Sequence, residues 1–227
     1  MTEKSRVYTA LVTGGARGIG HAIAEQLARN GVNVIAPPRQ ELDLADAQSI
    51  ERWLDANRSL AVDILVNNAG VNVLAPVTDI NRSTWEQMLT VNLSAALRLI
   101  QVFAPGMAMR GWGRILSLST IFSLVTKEGR GAYSMTKAAL NALTRSAAVE
   151  YGPDGVLVNA LAPGYVDTEL TRQNNSADAL ARICQLIPLR RMAGVDELAK
   201  MAAFLVSEAN TYMTGQVVIV DGGFTSL

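Results

Sequence analysis

The chain has 227 residues, of which 49% are apolar and 18% are charged, so it can form one globular α/β domain with a full core. Its 20 basic and 20 acidic side chains cancel, which argues against a nucleic-acid partner and against an anionic membrane surface. The single cysteine, Cys184, excludes an intrachain disulfide and a cysteine-based zinc cluster. No metal site is predicted.

The start of the chain and its longest apolar stretch bear on where the protein resides. The segment before the first motif, MTEKSRVYTALVTGG, has no long apolar core of the kind that marks a secretory signal. The apolar stretch of residues 93–109 carries Arg98 and Pro105 and falls short of a membrane span. We therefore expect a cytoplasmic protein with no membrane partner.

Short apolar runs alternate with segments of helical periodicity along the whole chain. Strands, some of which run into a turn, are predicted at residues 8–13, 32–36, 62–70, 113–119, 156–164 and 215–223. Helices are predicted at residues 19–30, 46–57, 83–109, 132–152 and 195–208. Gly31 is suited to end the first helix, and Asp46 is suited to cap the second.

The predicted strands are nearly continuous apolar runs, as expected when helices cover both faces of a sheet. The alternation of strand and helix predicts an α/β fold, a Rossmann-type doubly wound parallel sheet of six or seven strands with helices on both faces. No linker, repeat or low-complexity segment divides the chain, so residues 1–227 are predicted to form a single domain. Such sheets bind ligands at the carboxyl ends of their strands.

A glycine-rich turn follows the first predicted strand. In VTGGARGIG, residues 12–20, the glycines Gly14, Gly18 and Gly20 give the spacing GxxxGxG just before the first helix. Glycine lets the backbone approach a ligand closely, and the helix start supplies free N–H groups and a positive dipole end. A second turn, NNAG, follows the third strand. Each turn alone is compatible with a structural role, but together they favour a dinucleotide site.

Tyr133 and Lys137 are four residues apart and share one face of a predicted helix. A tyrosine has an unperturbed pKa of about 10, and we expect the nearby ammonium to lower it. Such a tyrosine can exchange a proton with a carbonyl oxygen or an alcohol. An isolated pair of this kind is more often two side chains on an exposed face. Thr120, thirteen residues before the tyrosine, is the third candidate polar group.

The glycine loop, NNAG, YSMTK and NALAPGYVDT occur in one order along the chain, and this set resembles the short-chain dehydrogenase/reductase family in its single-domain form. The resemblance extends over essentially the whole chain, to TGQVVIVDGGF near its end. It implies an oxidoreductase that transfers hydride between a nicotinamide cofactor and a ketone or secondary alcohol. The sequence is similar both to 3-oxoacyl-carrier-protein reductases and to sugar or polyol dehydrogenases, and it does not decide between these two substrate classes.

The resemblance also implies a role for individual positions. Tyr133 would be the proton donor and acceptor, and Lys137 would lower its pKa and bind the nicotinamide ribose. Asn92, in LTVNLSAAL, would support a water-linked proton relay to the lysine. The cofactor would contact Tyr133 and Lys137 together with Gly14, Gly18, Ile19, Gly20, Asp43, Leu44, Asn68, Ala69, Gly70, Val166 and Thr168.

The chain departs from the family pattern at two places. Family members usually carry a serine at the position of Thr120, which would hold the substrate oxygen. A threonine hydroxyl can do the same, while its methyl group stiffens the side chain and narrows the pocket. After the second strand the family usually has a helix and another strand, but here residues 37–42, PPRQEL, connect directly to Asp43. We expect that helix to be missing and the adenosine end of the site to be open.

Cofactor preference is predicted from the end of the second strand. NAD-specific sites usually place an acidic residue there, and the aligned residue is Pro38. Arg39 follows it, and Arg17 precedes Gly18 in the glycine loop, so two cations are available for the extra phosphate of NADP. The prediction is a preference for NADP(H), with NAD(H) as the alternative.

Residues 165–191 are expected to form the substrate lid. Arg172, Arg190 and Arg191 could meet an anionic substrate there, although solvated or interface arginines are more common. The expected partners are a small carbonyl or alcohol substrate and copies of the same chain, in a tetramer. The competing function is a catalytically idle dinucleotide sensor, which would explain the substituted Thr120 but not the retained tyrosine, lysine and asparagine.

Overall fold

A parallel sheet forms the centre of the computed structural model, which describes residues 6–173 and 176–226. Its strands are hydrogen-bonded in the order β2-β1-β3-β4-β5-β6, and every pairing is parallel. The predicted doubly wound α/β fold is confirmed, with six strands among the described residues. The six strands form one sheet, as expected of a single domain. That residues 1–227 form a single domain stays a prediction. The strands are β1 (Thr9–Val12), β2 (Asn33–Ile35), β3 (Ile64–Asn67), β4 (Gly113–Leu118), β5 (Val156–Pro163) and β6 (Val217–Val220).

The helices begin and end close to the predicted positions. Asp46 caps the second helix by accepting a hydrogen bond from the backbone N–H of Gln48 at 2.9 Å, as predicted. Gly31 follows the first helix with a φ of +84°, a left-handed conformation that favours glycine at a helix end. In the described residues the helices are α1 (Gly18–Arg29), α2 (Ala47–Ala56), α3 (Arg82–Leu89), α4 (Ala95–Met109), α5 (Gly131–Tyr151), α6 (Glu169–Gln173), α7 (Ala177–Leu186) and α8 (Val195–Leu205).

Alternate residues of each strand pack against two different helical layers. Leu11, Leu65 and Ile115 belong to a core that α2, α4 and α5 complete. Ala10 and Val66 belong to a second core, completed by α1 and α8. Because both faces of the four central strands β1, β3, β4 and β5 are almost entirely buried, their positions favour apolar residues, which explains the continuous apolar runs.

The predicted helix at residues 83–109 is interrupted. A π-helical turn, Thr90–Ser94, separates α3 from α4, and it carries Asn92. Single-turn π segments are frequent at functional sites. The whole stretch Arg82–Met109 is long and apolar enough to cross a membrane, yet half of its most apolar 18-residue segment is buried inside the protein. Helices packed into a protein core pass the same test, and Leu99 of α4 is fully buried here.

The connection between β2 and α2 is short. Residues 36–46 form neither helix nor strand, so the helix that the family usually has after the second strand is missing, as predicted. Among the residues that the structure describes, β2 is therefore an edge strand that pairs only with β1. An open groove lies beside this edge, with Ile35, Pro38 and Trp53 among its lining residues.

Candidate active site

Thr120 and Tyr133 meet at the carboxyl end of β4. Thr120 precedes a short 3-10 turn, and its Oγ1 accepts a hydrogen bond from the backbone N–H of Phe122 at 3.3 Å. Tyr133 lies in the first turn of α5, and the side chain of Thr120 is close enough to lower the pKa of its hydroxyl. Thr120 is only 7% exposed. The structure therefore brings together two of the polar groups singled out in the sequence.

Lys137 lies one turn further along α5 and is 3% exposed. Its Nζ donates a hydrogen bond to the carbonyl oxygen of Leu118 at 2.6 Å and lies 5.9 Å from the centre of the Tyr133 ring. Burial disfavours the ammonium form and lowers the pKa of Lys137 from 10.5 to about 8. The ammonium is still the major form at neutral pH.

The pKa of Tyr133 is raised above its ordinary value of 10.0, mainly because burial disfavours the phenolate. The positive charge of Arg130 and the neighbouring Thr120 side chain both lower this pKa, by less than burial raises it. The sequence led us to expect a lowered pKa, and that expectation was wrong for the protein without a cofactor. Tyr133 consequently keeps its proton at physiological pH and is able to donate it.

Asn92 is 2% exposed and fixes the turn that follows β3. Its Oδ1 accepts a hydrogen bond from the backbone N–H of Val71 at 2.8 Å, and its Nδ2 donates to the carbonyl oxygen of Val71 at 2.9 Å. The same Nδ2 donates to Oγ1 of Thr136 at 3.0 Å. A Cβ atom on Gly70 would lie 3.3 Å from Oδ1 of Asn92 and 3.4 Å from Nζ of Lys137, so a glycine lets this turn approach both groups.

The glycine loop and the NNAG turn are tied to each other. Nδ2 of Asn68 donates hydrogen bonds to the carbonyl oxygens of Thr13 and Gly14 at 2.9 and 3.1 Å. A side chain at Gly20 would collide with Asn68 and Gly14. Gly14 and Gly18 have φ values of +66° and +58°, in the left-handed region that favours glycine. The buried Thr13, which was not predicted as a site residue, also accepts a hydrogen bond at Oγ1 from the backbone N–H of Asn68 at 3.0 Å.

The first turn of α1 is suited to hold an anion. The residue before it, Arg17, gives no side-chain hydrogen bond to the helix start, and the first turn contains no acidic residue. The backbone N–H groups of Gly18, Ile19 and Gly20 therefore have no side-chain cap. A Cβ atom on Gly18 would meet nothing within 4 Å, which leaves open space beside these donors. The residues present thus fit the pyrophosphate of a dinucleotide.

Comparison with known proteins assigns the family. Residues 36–225 match the family described as enoyl-(acyl carrier protein) reductase, and residues 8–49 match short chain dehydrogenase. The chain is 34% identical over 240 residues to gluconate 5-dehydrogenase of Gluconobacter oxydans, which covers 95% of this chain and 94% of that protein. It is 35% identical over 237 residues to the 3-oxoacyl-acyl-carrier-protein reductase of Escherichia coli K12, covering 94% and 96%. The chain belongs to the short-chain dehydrogenase/reductase family.

Solved structures of similar proteins have the same fold as this short-chain dehydrogenase/reductase. A gluconate 5-dehydrogenase from Burkholderia cenocepacia, in complex with NADP and tartrate, is 32% identical, with a TM-score of 0.91 over 97% of this chain and 96% of that one. The TT0495 protein of Thermus thermophilus is 36% identical, with a TM-score of 0.87 over 97% and 99%. The family resemblance inferred from the motifs is confirmed.

The residues predicted to contact the adenosine end of the cofactor in this short-chain dehydrogenase/reductase range from buried to exposed. Nε of Arg39 lies 3.2 Å from Oδ2 of Asp43, and the Arg39 side chain is 74% exposed. Oδ1 of Asp43 accepts a hydrogen bond from the backbone N–H of Ala45 at 3.0 Å. Leu44 is buried, whereas Arg17 is exposed. Arg39 and Asp43, both predicted to contact the cofactor, are therefore paired with each other.

The remaining predicted cofactor residues lie after β3 and β5, at the same edge of the sheet. Val166 is 7% exposed and forms an isolated bridge to the segment before α8. Oγ1 of Thr168 accepts a hydrogen bond from the backbone N–H of Thr171 at 3.2 Å. The N–H of Ala69 donates to Oγ1 of Thr13 at 3.2 Å. Thr168 lies within residues 165–191, the predicted substrate lid.

The three arginines of the predicted lid, Arg172, Arg190 and Arg191, all have hydrogen-bond partners within the protein. Arg172 forms two hydrogen bonds of 2.6 Å with the carboxylate of Asp167. Arg191 pairs with Glu197 at 2.7 and 2.8 Å. Arg190 donates to the backbone carbonyl oxygen of residue 185. These contacts favour a structural role for the three arginines over contact with an anionic substrate.

A hydrogen-bonded cluster behind Thr120 was missed in the sequence. Oγ of Ser123 donates to the carbonyl oxygen of Thr120 at 2.6 Å. The same Oγ accepts from Nδ2 of Asn141 at 2.8 Å and from Oγ of Ser119 at 3.2 Å. Serine and asparagine are too common for this pattern to be recognised from spacing alone. Among the described residues, no group of three or more His, Cys, Asp or Glu side chains is placed to hold a metal ion.

Proposed function

We propose that the protein is an oxidoreductase that transfers hydride between NADP(H) and a ketone or secondary alcohol, with Tyr133 as general acid and base. The observation that supports this most directly is that Thr120 and Tyr133 lie next to each other at the carboxyl end of β4, where Thr120 lowers the pKa of Tyr133. The buried Lys137 and the anion cradle at α1 lie at the same edge of the sheet. Relatives named as dehydrogenases and reductases support the reaction class.

Tyr133 handles the proton in this mechanism. During reduction its hydroxyl donates a proton to the substrate oxygen, and during oxidation its phenolate takes that proton back. Its raised pKa keeps the proton in place until the oxygen that receives it has arrived. The hydroxyl of Thr120 donates a second hydrogen bond to the same oxygen. The nicotinamide of bound NADP(H) supplies or accepts the hydride.

Lys137 stabilises the phenolate that forms in reduction and that acts as the base in oxidation. Its Nζ lies 5.9 Å from the centre of the tyrosine ring, and the low dielectric of a buried site strengthens the attraction between the two charges. Asn92 fixes the turn after β3 through both of its polar atoms, close to Nζ of Lys137. We assign Asn92 the support of the proton path to this lysine.

The preference for NADP(H) rests on charge at the adenosine end. Pro38 presents no carboxylate that would repel the extra phosphate. Arg17, in the glycine loop after β1, and Arg39, after the neighbouring strand β2, are the cations proposed to bind it. A related structure with a TM-score of 0.91 is a complex with NADP, which supports this choice. NAD(H) is the alternative. The other residues proposed to contact the cofactor are Gly14, Gly18, Ile19, Gly20, Asp43, Leu44, Asn68, Ala69, Gly70, Val166 and Thr168.

A dinucleotide sensor without turnover is the second candidate function. It is favoured by the threonine at position 120 and by the missing helix after β2. The experiment that decides is a panel of ketones with NADPH and NADH, and of the matching alcohols with NADP⁺ and NAD⁺, beside a titration of cofactor binding. Turnover of any member supports the oxidoreductase. Tight cofactor binding without turnover on the whole panel would favour the sensor.

We also expect a homotetramer in the cytoplasm. α4 and α5 carry exposed apolar side chains, among them Met109 and Val149, which are 85% and 78% exposed. Such surface is typical of an interface between subunits. Sedimentation at micromolar concentration should show a tetramer, and a monomer would contradict the expectation.

A further inference from the structure

We propose that Arg130, assisted by Lys127, binds a carboxylate group of the substrate, so that the preferred substrate is a compact hydroxy acid or the matching keto acid. This inference rests on the proposed function, because it places the carboxylate beside the carbon that exchanges hydride. It concerns two cations that family motifs do not include and that the sequence did not single out.

Arg130 lies between the two elements that carry the reacting hydroxyls. It directly precedes α5, three residues before Tyr133, and residues three apart on a helix have Cβ atoms about 5–6 Å apart. Its guanidinium packs over the ring of Phe122, with Cζ 4.4 Å from the ring centre. Phe122 lies in the 3-10 turn that begins beside Thr120. The cation is therefore carried by the segment that joins the two reacting hydroxyls, and its charge acts on Tyr133.

The guanidinium of Arg130 has donors to spare. Its Nε is buried and has no hydrogen-bond partner in residues 6–173 and 176–226, and no ion pair with a described carboxylate is formed. A buried donor without a partner costs free energy, and such groups are uncommon in folded proteins unless a ligand or water satisfies them. The nearby acidic residue, Glu128, is exposed and forms no ion pair with Arg130 in the part of the chain that is described.

A second cation and an aromatic wall complete the subsite. Nζ of Lys127 lies 5.9 Å from the centre of the Tyr165 ring. Tyr165 makes edge-to-face contacts with Phe122 and Phe224, with ring centres 6.1 and 5.5 Å apart. The ring faces hold the two cations without neutralising them, because cation–π contacts leave the N–H donors free at the ring edge. Lys127 likewise has no ion pair with a described carboxylate.

Two arginines of the predicted lid differ from Arg130 because they have carboxylate partners. Arg172 and Arg191 each form a bidentate contact with a carboxylate, that of Asp167 and Glu197 respectively, so their charges are already paired. Arg130 keeps its fork, and a guanidinium fork matches the two oxygens of a carboxylate. Its charge also reaches the reacting group, since it lowers the pKa of Tyr133 against the larger effect of burial.

The test compares ligands that differ in the carboxylate. Dissociation constants for gluconate and sorbitol, and for tartrate and threitol, are measured by calorimetry with the NADP⁺-loaded protein. The wild type should bind at least one acid about tenfold or more tighter than its neutral partner. Arg130→Gln should lose about ten- to a hundredfold of that affinity for the acid, as expected for a charge-assisted hydrogen bond, and should change the affinity for the neutral partner less than threefold.

Two further variants separate binding from folding. Arg130→Lys keeps the charge without the fork and should recover part of the affinity for the acid. Arg29→Gln removes an exposed arginine at the end of α1 and should leave all four affinities unchanged. Thermal melts identify any variant that fails to fold. If Arg130→Gln is such a variant, Arg130→Lys must still lower the affinity for the acid by more than it lowers the affinity for the neutral ligand.

Several outcomes overturn the inference. One is that neither acid binds more tightly than its neutral partner. Another is that Arg130→Gln weakens acids and neutral ligands alike, which would mean that it only supports Phe122. These results are distinct from failure of the proposed function. Turnover of neutral ketones without acid preference refutes the carboxylate site alone. Acid-selective binding without turnover of any acid, ketone or alcohol tested refutes the oxidoreductase and leaves the site.

Discussion

The reacting end of the candidate site and its adenosine end are built in different ways. At the reacting end Asn92, Thr120 and Lys137 are 2%, 7% and 3% exposed, and each has hydrogen-bond partners in the surrounding turns. At the adenosine end residues 36–46 form neither helix nor strand, and the side chain of Arg39 is 74% exposed.

This difference decides how strongly each end constrains function. Buried polar groups are costly without partners, so the reacting end has one hydrogen-bonded arrangement and tolerates little change. Exposed ion pairs contribute at most about 1 kcal/mol, so the adenosine end can change partners at low cost. Substitutions at the reacting end should therefore have large effects, and those at the adenosine end should have small ones.

The largest effect is expected for Tyr133→Phe. This change removes only the hydroxyl that transfers the proton, so turnover should fall by at least about 10²- to 10⁴-fold, the usual contribution of general acid–base catalysis. Cofactor affinity, followed by fluorescence titration, should stay close to that of the wild type. A mutant with near-normal turnover would refute the role of Tyr133.

Thr120→Ala should come next, with turnover reduced about a hundredfold, because a hydrogen-bond donor to the developing oxyanion is lost. Thr120→Ser is the matched control, since it keeps the hydroxyl and removes only a methyl group, and it should be active. If alanine works as well as threonine, the substrate oxygen is held by another hydroxyl, and Ser119→Ala and Ser123→Ala would identify it.

Lys137→Met should be inactive but more stable than the wild type at pH 7. The pKa of the buried lysine falls from 10.5 to about 8, and at about 1.4 kcal/mol per unit this shift corresponds to about 3 kcal/mol. Loss of the hydrogen bond to Leu118 offsets about 1 kcal/mol. Denaturant unfolding should therefore show a net gain of about 2 kcal/mol.

The gain in Lys137→Met should depend on pH in a defined direction. Between pH 8 and 10.5 the unfolded wild type binds more protons at this lysine than the folded protein does, so the penalty that Lys137 imposes decreases as the pH rises. The stability difference should be full below pH 8 and lost as the pH approaches 10.5. Lys200→Met, at an exposed position, is the control. A stability difference that does not change with pH would contradict the buried-charge explanation.

The smallest effects are expected at the adenosine end. Arg17→Ala and Arg39→Ala should each lower kcat/KM for NADPH by no more than about fivefold, because each guanidinium is exposed and screened. Values for NADH should hardly change. Asp43→Asn keeps the oxygen that bonds Ala45 and removes the charge that occupies Arg39, so it should raise the preference for NADPH. A wild type that prefers NADH, or variants with no selective loss, would show that the cofactor assignment is wrong.

Local sequence pattern determined most of the fold. The helix predicted at residues 132–152 is observed at Gly131–Tyr151, because its periodicity and the glycine and proline after it are local signals. Tyr133 and Lys137 share a face for the same local reason. The missing helix after β2 was also predictable, since Pro37 and Pro38 in so short a connection leave no room for one.

Only the tertiary structure decided the properties that depend on distant residues. Lys137 bonds to Leu118, 19 positions away, and Asn92 bonds to Val71, 21 positions away. Whether the pKa of Tyr133 rises or falls, and which arginines remain without a carboxylate, depends on burial and on partners brought in by other strands and turns. Burial and charge pairing arise when the sheet and its helices pack together, and no local spacing of residues determines them.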